Sequence, residues 1–369
     1  MRIASFNVES LFDRAKAMSL RDRNAAAKIL DAHARVNSLF DELKYTNAVK
    51  AQILDLLNQL GLRDKDEAEF AILRQNRGHL LLRHVDGSVE IVASGRDDWI
   101  GWVELSTQPV DQLATQHTAR VIKDVGADIQ AVVEADNRIA LRDFSAIMLR
   151  VVKGTPFDHV MLIDGNDLRG IDVGVLTPAG YEITRIRSHV DDTDSKGVIF
   201  SRDCPEYTIT TPAGNEVVLL VNHLKSKGFG KQSDNDAKRR RQAARVAEIY
   251  RGFRNAGQDN VVVLGDLNDT PDSAALAPLL GKTDLKDITE HPKFKADARP
   301  GTFGNATKSE KIDYVLLSPA LFGKVTGGAI FRKGVWGGKN GTLWPHYPTM
   351  IQQVHQASDH AAIYADLKL

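Results

Sequence analysis

Four consecutive apolar residues, Val261-Val262-Val263-Leu264, run into Gly265-Asp266-Leu267-Asn268-Asp269-Thr270-Pro271, and this stretch constrains the chain more than any other. Three β-branched residues in a row, without alternating polar ones, describe a short strand buried on both faces, which needs other layers above and below it. Gly265 breaks the run and Thr270-Pro271 turns the chain away. Asp266 and Asn268 stand two apart, a spacing that on extended backbone sends both side chains to one side. Such a pair offers a base beside a neutral hydrogen-bonding group. It is equally the composition of a polar strand-to-loop turn. The polar residues at the other strand ends decide between the two.

At 369 residues the chain is large for one domain, though single two-sheet folds reach this size. Lys+Arg and Asp+Glu are both 48, so the net charge is zero and any attraction to nucleic acid or an anionic membrane has to be local. Cys204 is the only cysteine, which excludes an intrachain disulfide and a cysteine-based metal site. Met1-Arg2 leads straight into Ile3-Ala4-Ser5-Phe6-Asn7-Val8, without the apolar stretch and cleavage site of a signal peptide. No apolar run approaches about 18 residues, so no membrane span is expected. A cytoplasmic protein is expected, and no feature points to an obligate protein partner.

Along the chain, Ile3 to Val8 reads as a strand. From about Arg21 to Leu60 the apolar residues Ile29, Val36, Leu39, Phe40, Leu43, Val49, Ile53, Leu56, Leu57 and Leu60 recur at helical spacing, and Gly61 is a C-terminal stop. A further short helix is read over 64–77. Asp86-Gly87 between apolar runs predicts a hairpin over 80–92, and 99–105 adds a strand. The segment 15–107 therefore carries its own helix-plus-hairpin content and reads as an inserted lid or subdomain within a single 1–369 catalytic domain. From Asp111 strands alternate with helices: helices over 112–125, 139–150 and 236–254, and strands over 129–136, 159–164, 171–176, 184–189, 199–201, 217–223, 311–317 and 359–367.

At least five of these strands end in Asn, Asp, Glu or His: Asn7, Glu134, His223, Asp266 with Asn268, and Asp359 with His360. One polar tip is ordinary; five of one chemical kind suggest a common rim. Asn7, Glu134 and Asp359 are hard oxygen donors, suited to Mg²⁺ or Mn²⁺ rather than zinc. His223 and His360 can stabilise or protonate a phosphate oxygen, and Asp266 can orient or deprotonate water with Asn268 holding the phosphate or the water in line. There is no Gly-x-x-x-x-Gly-Lys-Ser/Thr loop and no Gly-x-Ser-x-Gly elbow, which disfavours an NTPase and acyl transfer. Metal-assisted phosphoester hydrolysis is what remains.

The ordered set Phe6-Asn7-Val8-Glu9, Val132-Val133-Glu134-Ala135-Asp136, Val221-Asn222-His223-Leu224-Lys225-Ser226-Lys227, Gly265-Asp266-Leu267-Asn268-Asp269, Lys311-Ile312-Asp313-Tyr314-Val315 and Ser358-Asp359-His360 resembles the endonuclease/exonuclease/phosphatase superfamily. The resemblance spans residues 1–13 and 111 to the end, and leaves the insertion unmatched. It implies an α/β (α+β) fold: a four-layered αββα sandwich of two packed mixed sheets with the site at one end. It implies metal binding by Asn7, Glu134 and Asp359, a phosphate-stabilising or acidic His223, and water handling by Asp266 with Asn268. His360 would contact the scissile phosphate, held by Asp313. Arg169, with Asp172 close after it, sits where family members place phosphate-contacting residues; a surface arginine in a Gly-rich turn reads the same way.

Asn222 to Gly228 with Lys238-Arg239-Arg240-Arg241 looks most like the bacterial nuclease branch related to pancreatic deoxyribonuclease. Lys225, Lys227, Lys231, Lys238, Arg239, Arg240 and Arg241 form a local basic cluster in a neutral chain, suited to a polyanionic backbone. The glycine- and tryptophan-bearing stretch 331–344 is either a base-stacking loop or a loop anchored by its tryptophans. The resulting expectation is a Mg²⁺- or Mn²⁺-dependent phosphodiesterase acting on nucleic acid as an endonuclease. A phosphatase or small-molecule or lipid phosphodiesterase is the alternative, because a lid could restrict the site to small phosphoesters.

Overall fold

The structure, a computed structural model, describes residues 1–20, 22–228 and 231–369, excluding the side chains of Ser19 and Arg23. The described chain divides into two compact units, residues 1–12 with 110–227 and 231–369, and residues 13–109.

The larger unit is built on two mixed sheets. One has the strand order Phe294–Lys295, Val325–Phe331, Ala362–Leu367, Arg2–Asn7, Ile129–Ala135, Asp172–Thr177 and His159–Ile163. The other runs Glu182–Arg187, Glu206–Thr210, Glu216–His223, Val261–Asp266, Asp313–Leu317 and Lys286–Asp287. The sheets meet through Ile3, Ala131, Val133 and Val175 from the first and Leu219, Val221, Val262, Leu264 and Val315 from the second, all fully buried. Each such aliphatic side chain is worth about 1.5–3 kcal/mol on burial. The other face of the first sheet is covered by the helix Gln112–Val125 through Ala119, Val121 and Ile122, and by Leu141, Phe144 and Leu149. Ala243, Val246, Ala247 and Tyr250 of the helix Gln232–Asn255 cover the outer face of the second sheet, against Val261 and Val263. Val261 and Val263 thus face the helix while Val262 and Leu264 face the other sheet, which is why the run contains no polar position. The result is the four-layered αββα sandwich.

Residues 13–109 carry their own core. Helices Arg23–Phe40 and Asn47–Gln59, capped by Asp22 and Thr46, pack Val36, Phe40, Ile53, Leu56 and Leu57 around the buried Trp99. The expected helical stretch is broken between Phe40 and Asn47, and its expected start at Arg21 lies outside the described residues. The hairpin forms as Leu81–Arg83 against Val89–Ile91, with Gly87 at φ +83°. The short helix expected over 64–77 is a strand instead: Ala71–Arg77 pairs with Ile100–Leu105, and Ala71 and Leu73 alternate inward with the period of a strand. Residues 199–201 are likewise not a strand; the place beside Glu216–His223 is taken by Glu206–Thr210. Among the described residues no helix is long and apolar enough to cross a membrane.

Candidate active site

Strand direction brings the polar tips together. Arg2–Asn7 runs parallel to Ile129–Ala135, so Asn7 and Glu134 emerge at the same end of the first sheet, and the antiparallel Ala362–Leu367 begins there, just after Asp359-His360. In the second sheet Glu216–His223 runs parallel to Val261–Asp266, with His223 in register with Asp266 and Asp266 in register with Asp313.

The two rims then meet in three pairs, each with one partner from either sheet. Asn7 Nδ2 donates to Asp266 Oδ2 at 3.3 Å, His223 Nε2 lies 3.5 Å from Glu134 Oε1, and His360 Nδ1 lies 2.9 Å from Asp313 Oδ2. Asp266 is central, with His223 Nε2 at 3.7 Å and His360 Nε2 at 3.9 Å from its Oδ2. Asp359 Oδ1 is also 3.9 Å from His360 Nε2. Asn7, His223, Asp266, Asp313 and His360 are buried, while Glu134 and Asp359 are partly open.

Local backbone strain aims two of these groups. Glu134 has φ +64° and is the extra residue where the pairing slips from Asp172↔Ala135 to Val173↔Val133, a bulge that redirects its side chain. Asn268 has φ +56°, so it does not project beside Asp266 by strand alternation as its spacing suggested. It turns back: its amide N and its Nδ2 donate to Asp266 Oδ1 and Oδ2 at 2.8 and 3.1 Å, and Nδ2 also reaches the Leu224 carbonyl at 3.1 Å.

Burial, followed by repulsion from the Asp313 carboxylate, pushes the Asp266 carboxyl up to about 7. For His360 burial acts downward, but the charge and hydrogen bond of Asp313, then Asp266 and Asp359, outweigh it and hold the imidazole well above its ordinary value. Burial, then the Arg202 and Arg169 guanidiniums, hold His223 well below its own, so it is the neutral imidazole of the pair.

The phosphate-contact candidates form a second cluster. Arg169 holds Asp167 with two bonds, at 3.0 and 2.7 Å, and Arg202, which is 1% exposed, reaches the same carboxylate at 3.2 Å. Arg202 Nη2 also donates to the Leu224 carbonyl at 3.1 Å, the oxygen that Asn268 uses, which joins the two clusters. Asp172 accepts from the Gly165 amide at 2.7 Å and so ties down the loop bearing Asp167 and Arg169; burial raises its carboxyl to about 7. The Lys225 ammonium is lowered to about 8 by burial and then by Arg202 and Arg169.

Sequence reading missed Arg202 and Asp167. The available signals were an arginine in the otherwise apolar Ile199-Phe200-Ser201-Arg202 and an acid two residues before Arg169. It also overcounted the basic cluster: Lys227 and Arg239 are bound to Asp269, and Arg241 to Asp194. In the 331–344 stretch Trp344 Nε1 donates to the Val335 carbonyl at 2.9 Å and Trp336 stacks on His346, so its tryptophans anchor the loop.

The rim suits a hard divalent cation. Carboxylates of Glu134, Asp266, Asp313 and Asp359 gather there, and the His360 imidazolium bonds Asp313 and lies 3.9 Å from Asp266 and Asp359. Ligand-type atoms of Asp266, Asp313 and His360 lie within 4.8 Å of one another. His360 Nδ1 is engaged by Asp313, and the oxygens of Glu134, Asp359, Asp266 and the Asn7 amide are the hard donors the rim offers an ion.

Residues 90–323, well over half of the chain, match the family model described as "Endonuclease/Exonuclease/phosphatase family". Among solved structures, a mannosyl-6-phosphatase of Bacteroides thetaiotaomicron VPI-5482 is similar at 16% identity, covering 70% of this chain and 92% of its own, with a TM-score of 0.52. An endonuclease/exonuclease/phosphatase family protein of Bacteroides thetaiotaomicron matches at 16% identity over 69% of this chain and 86% of its own, TM-score 0.51. The human Nocturnin catalytic domain with bound sulfate matches at 12% identity over 70% and 87%, TM-score 0.50. These likenesses establish the fold. No curated protein matches in sequence.

Proposed function

The chain belongs to the endonuclease/exonuclease/phosphatase family, and from that premise we propose that it is a divalent-metal-dependent phosphodiester hydrolase. The observation that carries this reading is the meeting of the two sheet rims in three cross-sheet pairs around Asp266. A Mg²⁺ or Mn²⁺ ion held by Glu134 with Asn7 and Asp359 would supply Lewis-acid stabilisation of charge on the phosphoryl oxygens. Asp266, oriented by both donors of Asn268, takes the proton of the attacking water. His360, its Nδ1–H directed to Asp313, presents Nε2–H to a phosphate oxygen. His223 is the second imidazole facing that phosphate.

The diester reading draws on a pocket of about 920 Å³ whose walls include Thr270 and Asp272, just beyond Asn268 in the chain, with Lys295, Arg299 and Lys308 as cations that would suit a nucleic-acid backbone. The reading of a small-molecule phosphatase draws on the internal pairing of Lys227, Arg239 and Arg241, which leaves no continuous cationic track there. With Mg²⁺ or Mn²⁺, a panel of single- and double-stranded DNA, RNA and small phosphoesters is expected to show nucleic-acid cleavage that EDTA reduces to background. Undiminished activity in EDTA would remove the metal from the mechanism, and turnover of small phosphoesters alone would remove the nuclease.

Residues 13–109 form, in this reading, an inserted subdomain. Its two ends leave the larger unit side by side, since the Val110 amide donates to the Phe12 carbonyl at 2.7 Å. Joining Phe12 to Val110 through a short glycine linker is expected to leave a protein that melts cooperatively with mixed α/β circular dichroism. A featureless melt would show that the larger unit depends on the insertion.

A further inference from the structure

Four cationic side chains gather around the Leu224 carbonyl and Asp167. Arg169 and Arg202 both reach the Asp167 carboxylate, and Glu134 and Asp266 act on Arg202 as well. Half-buried Lys225 and Lys238 add two ammonium groups, and among the described residues neither has a carboxylate within ion-pair distance. Lys225 is nevertheless held in place. The backbone of Lys225 is clamped by Gln242, which accepts from its amide at 2.8 Å, and by Arg239, which donates to its carbonyl at 2.6 Å. Lys238 precedes Arg239 on the helix Gln232–Asn255. Arg202, almost wholly buried, has an Nε with no hydrogen-bond partner among the described residues. The groups share one environment: burial and the Arg202 guanidinium lower both lysines, and the Leu224 carbonyl bonded to Arg202 immediately precedes Lys225.

Buried or half-buried charge without a partner is costly and persists where a ligand completes it. A scissile diester brings one negative charge for two lysines that have no carboxylate of their own among the described residues, whereas a phosphomonoester brings nearly two and three acceptor oxygens. Resting on the phosphoesterase reading above, we propose that Arg202, Lys225 and Lys238, with Arg169, form a subsite for a second phosphoryl group. The preferred substrate then carries a terminal phosphomonoester close to the phosphate that is cleaved. A phosphorylated nucleic-acid end and a small bisphosphorylated metabolite both present that chemistry.

The test uses the full-length, metal-loaded protein and two matched pairs, a 5′-phosphorylated against a 5′-hydroxyl dinucleotide and a sugar bisphosphate against the corresponding monophosphate. In at least one pair the second phosphate is expected to lower KM about tenfold or more, and the pair that responds identifies the source. Lys238→Gln should collapse that ratio toward one, while Lys238→Arg, which keeps the charge, should retain it; thermal melts confirm that both fold. Equal KM values within both pairs, or a full preference in Lys238→Gln, would overturn the subsite and leave the phosphoesterase reading standing. No cleavage of these four compounds or of DNA and RNA with Mg²⁺ or Mn²⁺ would overturn that reading and the subsite with it, and cleavage of DNA or RNA without turnover of any of the four would overturn the subsite alone.

Discussion

Asp266→Asn is expected to lower kcat by roughly 10³-fold while making the metal-free protein more stable at neutral pH. The two effects have one cause. Asp266 is 2% exposed and in register with Asp313, and burial with that neighbour raises its carboxyl from 3.8 to about 7. Between those values the folded state holds a proton that the unfolded state has released. Stability from this group is therefore fully present below pH 4 and is lost as pH rises to about 7. The isosteric amide carries no charge, so the loss with pH disappears; its one carbonyl oxygen still receives Asn7 Nδ2 and Asn268 Nδ2, and the Asn268 amide bond to the other oxygen is given up. Melting temperature followed from pH 4 to 8 in EDTA should fall for the wild type and run flatter for the variant. Added Mg²⁺ should stabilise the wild type more than the variant, because binding to the folded state shifts stability by mass action and the variant offers the cation one carboxylate fewer. A variant with wild-type kcat would remove Asp266 from the water-handling role, and a variant less stable than the wild type in EDTA would contradict the repulsion at the rim.

What could be read in the sequence follows from which interactions are local. Val261 to Leu264 announced a doubly buried strand, and the structure buries alternate residues against the other sheet and against the helix Gln232–Asn255. The strand tips Asn7, Glu134, His223, Asp266, Asp313 and His360 were legible because each strand ends in a polar residue where its hydrophobic period stops. Their cross-sheet pairing was not legible, since it depends on how two separate sheets pack, bringing together residues as far apart as Asn7 and Asp266, 259 positions away. Positive-φ turns defeat the spacing argument for the same reason: Asn268 reaches Asp266 by folding back, not by pointing alongside it. The basic cluster misled because sequence shows charges but not partners, and Asp269, which absorbs Lys227 and Arg239, lies some 30 residues from the latter. Arg202 was hidden by the opposite effect, a buried arginine being rare enough that one following Ile199-Phe200-Ser201 read as the polar end of a plain strand.

The second large effect is expected at the glycine between the strand and its polar tip. Gly265 has φ +128°, a conformation open to glycine and strained for any L side chain, and a Cβ there would overlap the backbone carbonyl oxygen of Asn222 on the adjacent parallel strand. The overlap is with backbone in the centre of a sheet, so no rotamer change relieves it. Relief requires the strands Glu216–His223 and Val261–Asp266 to part, which breaks the ladder that sets His223 beside Asp266. Gly265→Ala is therefore expected to cost more than about 4 kcal/mol, in the range reserved for exceptional substitutions, and to yield insoluble or molten protein from a domain whose total stability is about 5–15 kcal/mol. Gly257→Ala is the control. Gly257 also has positive φ, +82°, but nothing lies within 4 Å of its added Cβ, so only the left-handed backbone is penalised, by about 1–2 kcal/mol. Urea unfolding of both variants separates the two contributions. If Gly265→Ala unfolds at nearly the same urea concentration as Gly257→Ala, the strands are not as close as the register places them, and Asp266 loses the position from which it handles water.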